Sequence, residues 1–133
     1  MIVLDASAVV DYLLQQDARG AWVGEWMLRP GQRLNAPHLI DVESAHALRR
    51  AAFVGDVAEE RAENAIEALL DLQLQRYPQT ILLPRIWELR RSLTAYDAAY
   101  VALAETLDAP LLTTDQALAR TTGHRARIEA FPG

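Results

Sequence analysis

The sequence predicts an α/β protein of three layers, α/β/α, with a central, mainly parallel sheet of about four to five strands. Short apolar runs suited to buried strands alternate with longer stretches of helical periodicity, which is the pattern of β–α–β units. The strand-like runs are almost wholly apolar, as in sheets that helices cover on both faces. No repeat, long linker or low-complexity tract interrupts the 133 residues, so we expect a single domain over 1–133.

The first half of the chain is predicted to contain two strands and four helices. Apolar residues recur at helical spacing within each predicted helix, as Trp22 and Trp26 do in the second. Pro30-Gly31 is a stop signal for that helix. The predicted elements are, in order, a strand over 2–5, helices over 7–16 and 18–28, a short strand over 33–36, and helices over 38–53 and 56–75.

The second half is predicted to contain three strands and three helices. The run Thr80-Ile-Leu-Leu-Pro84 predicts a third strand. Thr94 is a suitable N-cap for the helix over 95–107. The predicted elements are, in order, a strand over 80–84, a short helix over 85–92, a helix over 95–107, a strand over 111–114, a short helix from 116, and a strand near Ile128.

The composition excludes several kinds of site. There is no cysteine, which excludes disulfides, thiolate nucleophiles and zinc sites built on sulfur, and which is consistent with a reducing cytoplasm. There is also no lysine, which excludes Walker-type phosphate loops and Schiff-base chemistry. We expect no secretory signal, because Asp5 interrupts the first apolar stretch, and no membrane span, because no apolar run is long enough. The predicted location is cytoplasmic.

All 13 basic side chains are arginines, and the net charge is −5. This balance argues against a surface that coats nucleic acid, but it does not exclude a nuclease with a local group of arginines. Each candidate arginine could equally belong to a solvated helix face. The candidates are Arg49, Arg50, Arg85, Arg90 and Arg91.

Four carboxylates are predicted to meet at the carboxyl edge of the sheet. Asp5 and Asp115 directly follow apolar strands, and Glu43 and Asp97 lie in the early turns of predicted helices. Open α/β sheets bind ligands beyond the carboxyl ends of their strands, and clustered acids without basic partners call for a divalent cation. Oxygen ligands suit Mg²⁺ or Mn²⁺, which can activate water and stabilise the phosphate in a nuclease reaction.

Each of these residues also has a structural alternative. Asp5 and Asp115 could cap helices, Asp97 follows Thr94 at the spacing of a capping box, and Glu43 could be a solvent-exposed helix residue. Two hydroxyl residues adjoin the acids and could orient a carboxylate, a water or a phosphate, or could serve only in caps and turns. They are Ser7 and Thr114.

Four segments together resemble PIN-domain ribonucleases and, more narrowly, the VapC-type toxins of bacterial toxin–antitoxin pairs. The resemblance runs from Ile2 to about Ala119. The segments are Leu4-Asp5-Ala-Ser7-Ala-Val, Ala36-Pro-His-Leu-Ile-Asp-Val-Glu43 with Ala47-Leu-Arg-Arg50, Tyr96-Asp97-Ala-Ala-Tyr-Val-Ala-Leu-Ala104, and Leu111-Leu-Thr-Thr-Asp115.

The resemblance implies a PIN-like fold, an activity and partners. It implies that an acidic quartet binds Mg²⁺ or Mn²⁺ and that the protein cleaves RNA hydrolytically, with a tRNA or an rRNA loop as target. It also implies a homodimer and a VapB-type antitoxin that holds the toxin inactive. On this resemblance the quartet is Asp5, Glu43, Asp97 and Asp115, and the hydroxyl positions of the first and last motifs are Ser7 and Thr114.

The partners suggest roles for several aromatic and basic side chains. Trp22 and Trp26, with the helices across 18–75, could form the apolar groove for the antitoxin, or they could belong to the core. The groove for RNA could be lined by Tyr96, Tyr100, Arg90 and Arg91.

The chain departs from the family pattern at two places. No further acid follows Asp115 within 116–118, so a second metal ion would be held weakly. His46 stands where a polar residue, often asparagine, is common, and we interpret it as packing or bonding locally rather than as binding phosphate-bound water. Asp41 is expected to face away from Glu43, and Asp11 to be exposed.

Three other functions remain open from the sequence. The chain could be a PIN-like module that binds an antitoxin or RNA without cutting. It could also be a metal-dependent nuclease that acts on DNA, because nothing in the sequence distinguishes the 2′-hydroxyl. A small phosphatase is the third, and the absence of lysine argues against it.

Overall fold

A five-stranded parallel sheet forms the centre of the computed structural model, which describes residues 1–133. The strands are β1 (Ile2–Leu4), β2 (Leu34–Pro37), β3 (Leu74–Tyr77), β4 (Leu111–Thr113) and β5 (Ile128–Ala130). Their spatial order is β3-β2-β1-β4-β5, and every neighbouring pair is parallel. The order reverses between β1 and β4, so a ligand crevice is expected beyond the carboxyl ends of these two strands.

Helices cover both faces of the sheet, which confirms the predicted three-layer α/β/α class. On one side the first helix packs against the next three; on the other the fifth helix packs on the sixth, which crosses β1, β2 and β4. None of the helices has both the length and the apolar character that a membrane crossing requires. The helices are α1 (Ala6–Leu14), α2 (Ala18–Met27), α3 (Ile40–Phe53), α4 (Glu59–Asp71), α5 (Leu83–Glu88), α6 (Ala95–Leu107) and α7 (Gln116–Ala119).

The core lies where β1 and α6 meet. All three residues of β1 are buried, and α6 is buried continuously from Ala98 to Ala104. The many alanines of this stretch allow α6 to lie close to the sheet. The tryptophans of α2 pack against the same core, with Trp22 edge-on to Phe131, so the structure favours the core interpretation of both tryptophans.

The predicted third strand over 80–84 is wrong. These residues form a 3₁₀ turn (Thr80–Leu82) and the start of α5, where Pro84 is tolerated because first-turn N–H groups have no helical partner. The true third strand is Leu74–Tyr77, of which the first two residues were predicted to end a helix over 56–75. A short apolar run does not by itself distinguish a strand from a helix.

Polar contacts hold β3 at the edge of the sheet beside β2. Arg76 donates two hydrogen bonds to Asp41, both of 2.8 Å, and Tyr77 donates its hydroxyl proton to Asn35 Oδ1 at 2.9 Å. Asp41 is therefore the partner of Arg76, which agrees with the expectation that it faces away from Glu43. The other predicted elements lie within a few residues of the observed ones, and 95–107 coincides with α6.

Candidate active site

Asp5 lies directly after β1 and is held from three directions. Its Oδ1 caps α1 by accepting from the N–H of Ala8 at 2.9 Å and accepts from the Ser7 hydroxyl at 2.7 Å. Its Oδ2 accepts from the Thr113 hydroxyl at 2.5 Å. Asp5 is 7% exposed, and this burial raises the pKa of its carboxyl group to about 6 although the hydrogen bonds act in the opposite direction. Asp5 is therefore the predicted N-cap of α1, and its burial disfavours the ionised form of its carboxyl group.

Glu43 lies one turn into α3 and is held by a tyrosine of α6. The hydroxyl of Tyr100, a residue that is 2% exposed, donates to Glu43 Oε1 at 2.6 Å. Burial raises the pKa of Glu43, the Tyr100 hydrogen bond opposes the rise, and the charge of Asp97 adds to it. Burial, followed by the bond to Glu43, raises the pKa of Tyr100 far above its ordinary value, so the phenol remains a neutral donor. Glu43 is thus half-buried and fixed, not solvent-exposed.

Asp97 has the least constrained carboxylate of the four. Its backbone N–H bonds to Thr94 Oγ1 at 3.1 Å, which confirms the predicted N-cap of α6, but its side chain accepts no hydrogen bond. The carboxylate is half-buried, and burial, followed by the charge of Asp115, raises its pKa. Asp97 can therefore turn toward a ligand without breaking an existing contact.

Asp115 follows β4 and has an exposed side chain. Its Oδ1 caps α7 by accepting from the N–H of Ala117 at 2.9 Å, and its own N–H donates to Thr113 Oγ1 at 2.9 Å. The structural alternative for Asp115 is thus realised, and the cap leaves Oδ2 without a partner among the side chains. The capping role and a ligand role are compatible in this residue.

The hydroxyl that bridges β1 and β4 belongs to Thr113, which the sequence analysis missed. Thr113 is fully buried and contacts Asp5, Ser7 and the backbone of Asp115. The predicted residue, Thr114, makes no hydrogen bond with any of the four carboxylates; its hydroxyl donates to Asp11 at 2.5 Å. The expected exposure of Asp11 is correspondingly wrong, because it is partly buried. A threonine at the end of an otherwise apolar buried strand was the available signal, since a buried hydroxyl needs a partner.

No basic side chain forms a salt bridge with any of the four carboxylates. The charge of Asp97 raises the pKa of Asp5 and of Glu43, and the charge of Asp115 raises that of Asp97, so the four lie near one another. No three acidic or histidine side chains stand close enough to form an assembled metal site. The oxygen donors and uncompensated charge fit Mg²⁺ or Mn²⁺, which keep several water ligands and need few from the protein.

A cleft of about 740 Å³ opens beside these acids. Glu43 and Asp115 lie in its acidic part, and His46 and Arg50 follow on the same face of α3. The lining is completed by Ala6, Val42, Ala47 and Tyr96. The interpretation of His46 as packing or bonding locally is wrong, because its side chain is exposed in the cleft and makes no hydrogen bond.

Of the five candidate arginines, Arg50 alone lines this cleft. Arg85 pairs with Glu105 at 2.8 Å, Arg49 lies over the ring of Phe53, and Arg90 lies over the ring of Trp87. The tyrosines are also separated by the fold, because Tyr100 is buried against Glu43 while Tyr96 is exposed in the cleft. Tyr100 is therefore unable to line the predicted groove for RNA, and of the four residues predicted there Tyr96 alone lines this cleft.

Comparison with known proteins gives one consistent result. The family model described as the PIN domain matches residues 2–123. Ribonuclease VapC1 of Mycobacterium tuberculosis is 48% identical over 96% of this chain and 95% of its own length, and Ribonuclease VapC12 of the same organism is 41% identical over 97% and 98%. Among solved structures, VapBC2 from Rickettsia felis has a TM-score of 0.70 at 13% identity, covering 98% of this chain and 99% of that one, which shows a shared fold.

Proposed function

Because the chain belongs to the PIN-domain family and, within it, to the VapC ribonucleases, we propose that it is the endoribonuclease toxin of a toxin–antitoxin pair and depends on Mg²⁺ or Mn²⁺. The observation that carries the proposal is the likeness to Ribonuclease VapC1 over almost the whole chain. The position of four carboxylates at the sheet edge supports it from the side of chemistry. In this role the protein hydrolyses RNA phosphodiester bonds and so inhibits translation and growth.

The proposed roles of the site residues follow from their contacts. Asp5, Glu43, Asp97 and Asp115 are the residues that would hold the metal ion, which supplies an activated water and neutralises charge on the phosphate. Thr113 and Ser7 orient Asp5 through their hydroxyl groups, and Tyr100 orients Glu43 in the same way.

The side chain of Asp97 accepts no hydrogen bond, so it would be free to rotate toward a metal ion held by the other acids. Because Tyr100 stays neutral, it positions Glu43 without removing negative charge from the site. Thr114, which the sequence assigned to the site, donates its hydroxyl proton to Asp11 and its backbone N–H to Ser7, and it contacts none of the four acids.

The partners are proposed on the same basis. Structural neighbours include VapBC-1 of nontypeable Haemophilus influenzae and FitAB bound to a DNA fragment, both of which are named as pairs of proteins. We propose a small VapB-type antitoxin, with a basic segment that enters the acidic cleft. The apolar depression between α3 and α4, lined by Leu48, Phe53 and Ile66 among others, is available to its apolar side chains. A homodimer and a cytoplasmic location remain predictions.

The experiment that tests the proposal is cleavage of total cellular RNA by purified, antitoxin-free protein, with Mg²⁺, with Mn²⁺ and with chelator. The same reactions are run with Asp97→Asn and with the control Asp71→Asn, which removes an exposed acid at the end of α4. We expect discrete metal-dependent fragments from the wild type and the control, and none from Asp97→Asn. Undiminished cleavage by Asp97→Asn would show that the site is assigned wrongly.

Two further arms separate the alternatives. Faster turnover of single-stranded or duplex DNA than of RNA would favour a DNA-directed nuclease. RNA binding without cleavage under any metal would favour a binding module.

A thermal melt provides a readout that does not depend on activity, because an ion that binds only the folded state raises the melting temperature. Millimolar Mn²⁺ should therefore raise the melting temperature of the wild type more than that of Asp97→Asn.

A further inference from the structure

The cleft has a basic and aromatic part that the proposed metal chemistry does not use. Arg50 lies seven residues after Glu43 on α3, about 10 Å along the helix, and lines the same cleft. Tyr96 lines it from α6, beside Asp97, and is 64% exposed. Neither side chain makes a hydrogen bond or an ion pair with the rest of the protein, and neither stacks on another side chain.

We infer that this part of the cleft binds one unpaired nucleotide next to the bond that is cleaved, with its base stacked on Tyr96 and a flanking phosphate bound by Arg50. The inference rests on the proposed ribonuclease function. It deepens that function by assigning two side chains outside the four acids to the binding of the substrate.

The aromatic ring carries the argument for an unpaired base. Base–aromatic stacking is a major source of affinity for single strands and tolerates any base, since every base has a π-face. In a duplex the faces of the bases are already covered by their neighbours, so an exposed ring beside the acids has nothing to stack on. Tyr96 lines the same cleft as Glu43 and Asp115, which places a stacked base close to these carboxylates.

The arginine carries the argument for a flanking phosphate. A guanidinium group binds phosphate oxygens through two parallel N–H donors, and Arg50 has no carboxylate partner that would compete for them. Arg50 lies two helical turns from Glu43. It is therefore placed to bind the phosphate next to the one that would be cleaved at the acids. A negatively charged strand can thus cross an acidic site because one end of its path is cationic.

The chain offers matched controls for both side chains. Trp87 is exposed to a similar degree, 67%, but lies on α5 with Arg90 over its ring and does not line the cleft. Arg49 is the neighbour of Arg50 on the same helix, but it lies over Phe53. Substitution of Trp87 or Arg49 therefore changes the same chemistry at a different place.

The test measures binding in the Asp97→Asn protein with Mg²⁺, so that the RNA is not cut. The probes are a short fluorescein-labelled single-stranded RNA of mixed sequence and the duplex of the same sequence. Added to this background, Tyr96→Ala should raise the Kd for the single strand at least about fivefold, Tyr96→Phe should stay within about twofold, and neither should alter duplex binding. Arg50→Gln should weaken both probes and reduce the salt dependence by about one charge.

Three results would overturn the inference. The first is an increase in the Kd for the single strand in Tyr96→Ala that is no larger than the increase in Trp87→Ala. The second is an equal increase in the Kd for the duplex in Tyr96→Ala. The third is no measurable binding of the single strand by the parent protein. Failure of this inference is distinguished from failure of the proposed function by assaying cleavage of total RNA in proteins that keep Asp97. Cleavage that persists with unchanged KM in Tyr96→Ala refutes only the nucleotide site, whereas no cleavage by the wild type refutes the function.

Discussion

The metal-free protein is expected to be destabilised by the ionised carboxylate of Asp5, so that Asp5→Asn should make it more stable at neutral pH. Asp5 is almost fully buried and has no cationic partner. Its three hydrogen bonds do not compensate for the loss of water, because the pKa remains raised at about 6. Strain of this kind is typical of a site that binds a ligand.

The magnitude follows from the two pKa values. The rise from 3.8 to about 6 corresponds to about 3 kcal/mol once the group is fully ionised. Because the folded pKa is above the unfolded one, the associated stability is complete below about pH 4 and is lost as the pH rises through about 6. Asparagine keeps an oxygen for Ala8 but presents an amide to Thr113, so we expect a net gain of about 2 kcal/mol at pH 7.5.

The assay is urea unfolding of both proteins in chelator at pH 7.5 and at pH 4. The variant should be more stable at pH 7.5, and the difference should nearly vanish at pH 4. Asp56→Asn, which changes an exposed acid outside the site, should show no such pH-dependent difference. Saturating Mn²⁺ should stabilise the wild type and not Asp5→Asn. A variant that is less stable by the same amount at both pH values would refute the reasoning.

Three other substitutions test the supporting contacts. Tyr100→Phe removes the hydrogen bond to Glu43 and should weaken Mn²⁺ binding about tenfold, as measured by calorimetric titration, while the fold is kept. Glu105→Gln breaks an ion pair with Arg85 in which the carboxylate is 3% exposed; it should cost about 2 kcal/mol at pH 7 in urea unfolding. The contact lowers the pKa of Glu105, so this loss should shrink only as the pH falls through that lowered value. Thr113→Val should move the acidic limb of the pH–rate profile for RNA cleavage to higher pH, because the hydrogen bond from Thr113 lowers the pKa of Asp5. Thr114→Val should leave that limb unchanged, because Thr114 bonds to Asp11 instead.

The elements that the sequence predicted well carry a local signal. The helix over 95–107 begins at a threonine whose hydroxyl caps it, and β1 and β4 are short, buried and apolar except for Thr113 at the end of β4. The third strand has no such signal, because Gln75 and Arg76 are polar and follow a helix without a glycine or proline between them. What makes Leu74–Tyr77 a strand is the pairing with β2 and the contacts of Arg76 with Asp41 and of Tyr77 with Asn35. These partners are distant in sequence.

The same distinction applies to the candidate site. The position of the acids at the sheet edge could be predicted because strand ends and helix starts can be read from the sequence, and the topology brings those ends together. The donors that fix the acids could not, since Tyr100 reaches Glu43 across 57 positions and Thr113 reaches Asp5 across 108. The choice of Thr114 over Thr113 failed for this reason. Either hydroxyl adjoins the last motif, and only the packing of β1 beside β4 decides which one faces Asp5.

The contacts divide the four acids into two fixed and two adaptable ones, and this division determines how the proposed metal site would form. Asp5 and Glu43 are oriented by buried neutral donors, whereas Asp97 accepts no hydrogen bond and Asp115 has an exposed side chain. Since no three of these side chains stand ready as ligands, the fixed pair can define where the ion lies and the adaptable pair can close on it. Loss of a fixing donor should therefore weaken metal affinity, while the rate at saturating metal should change less.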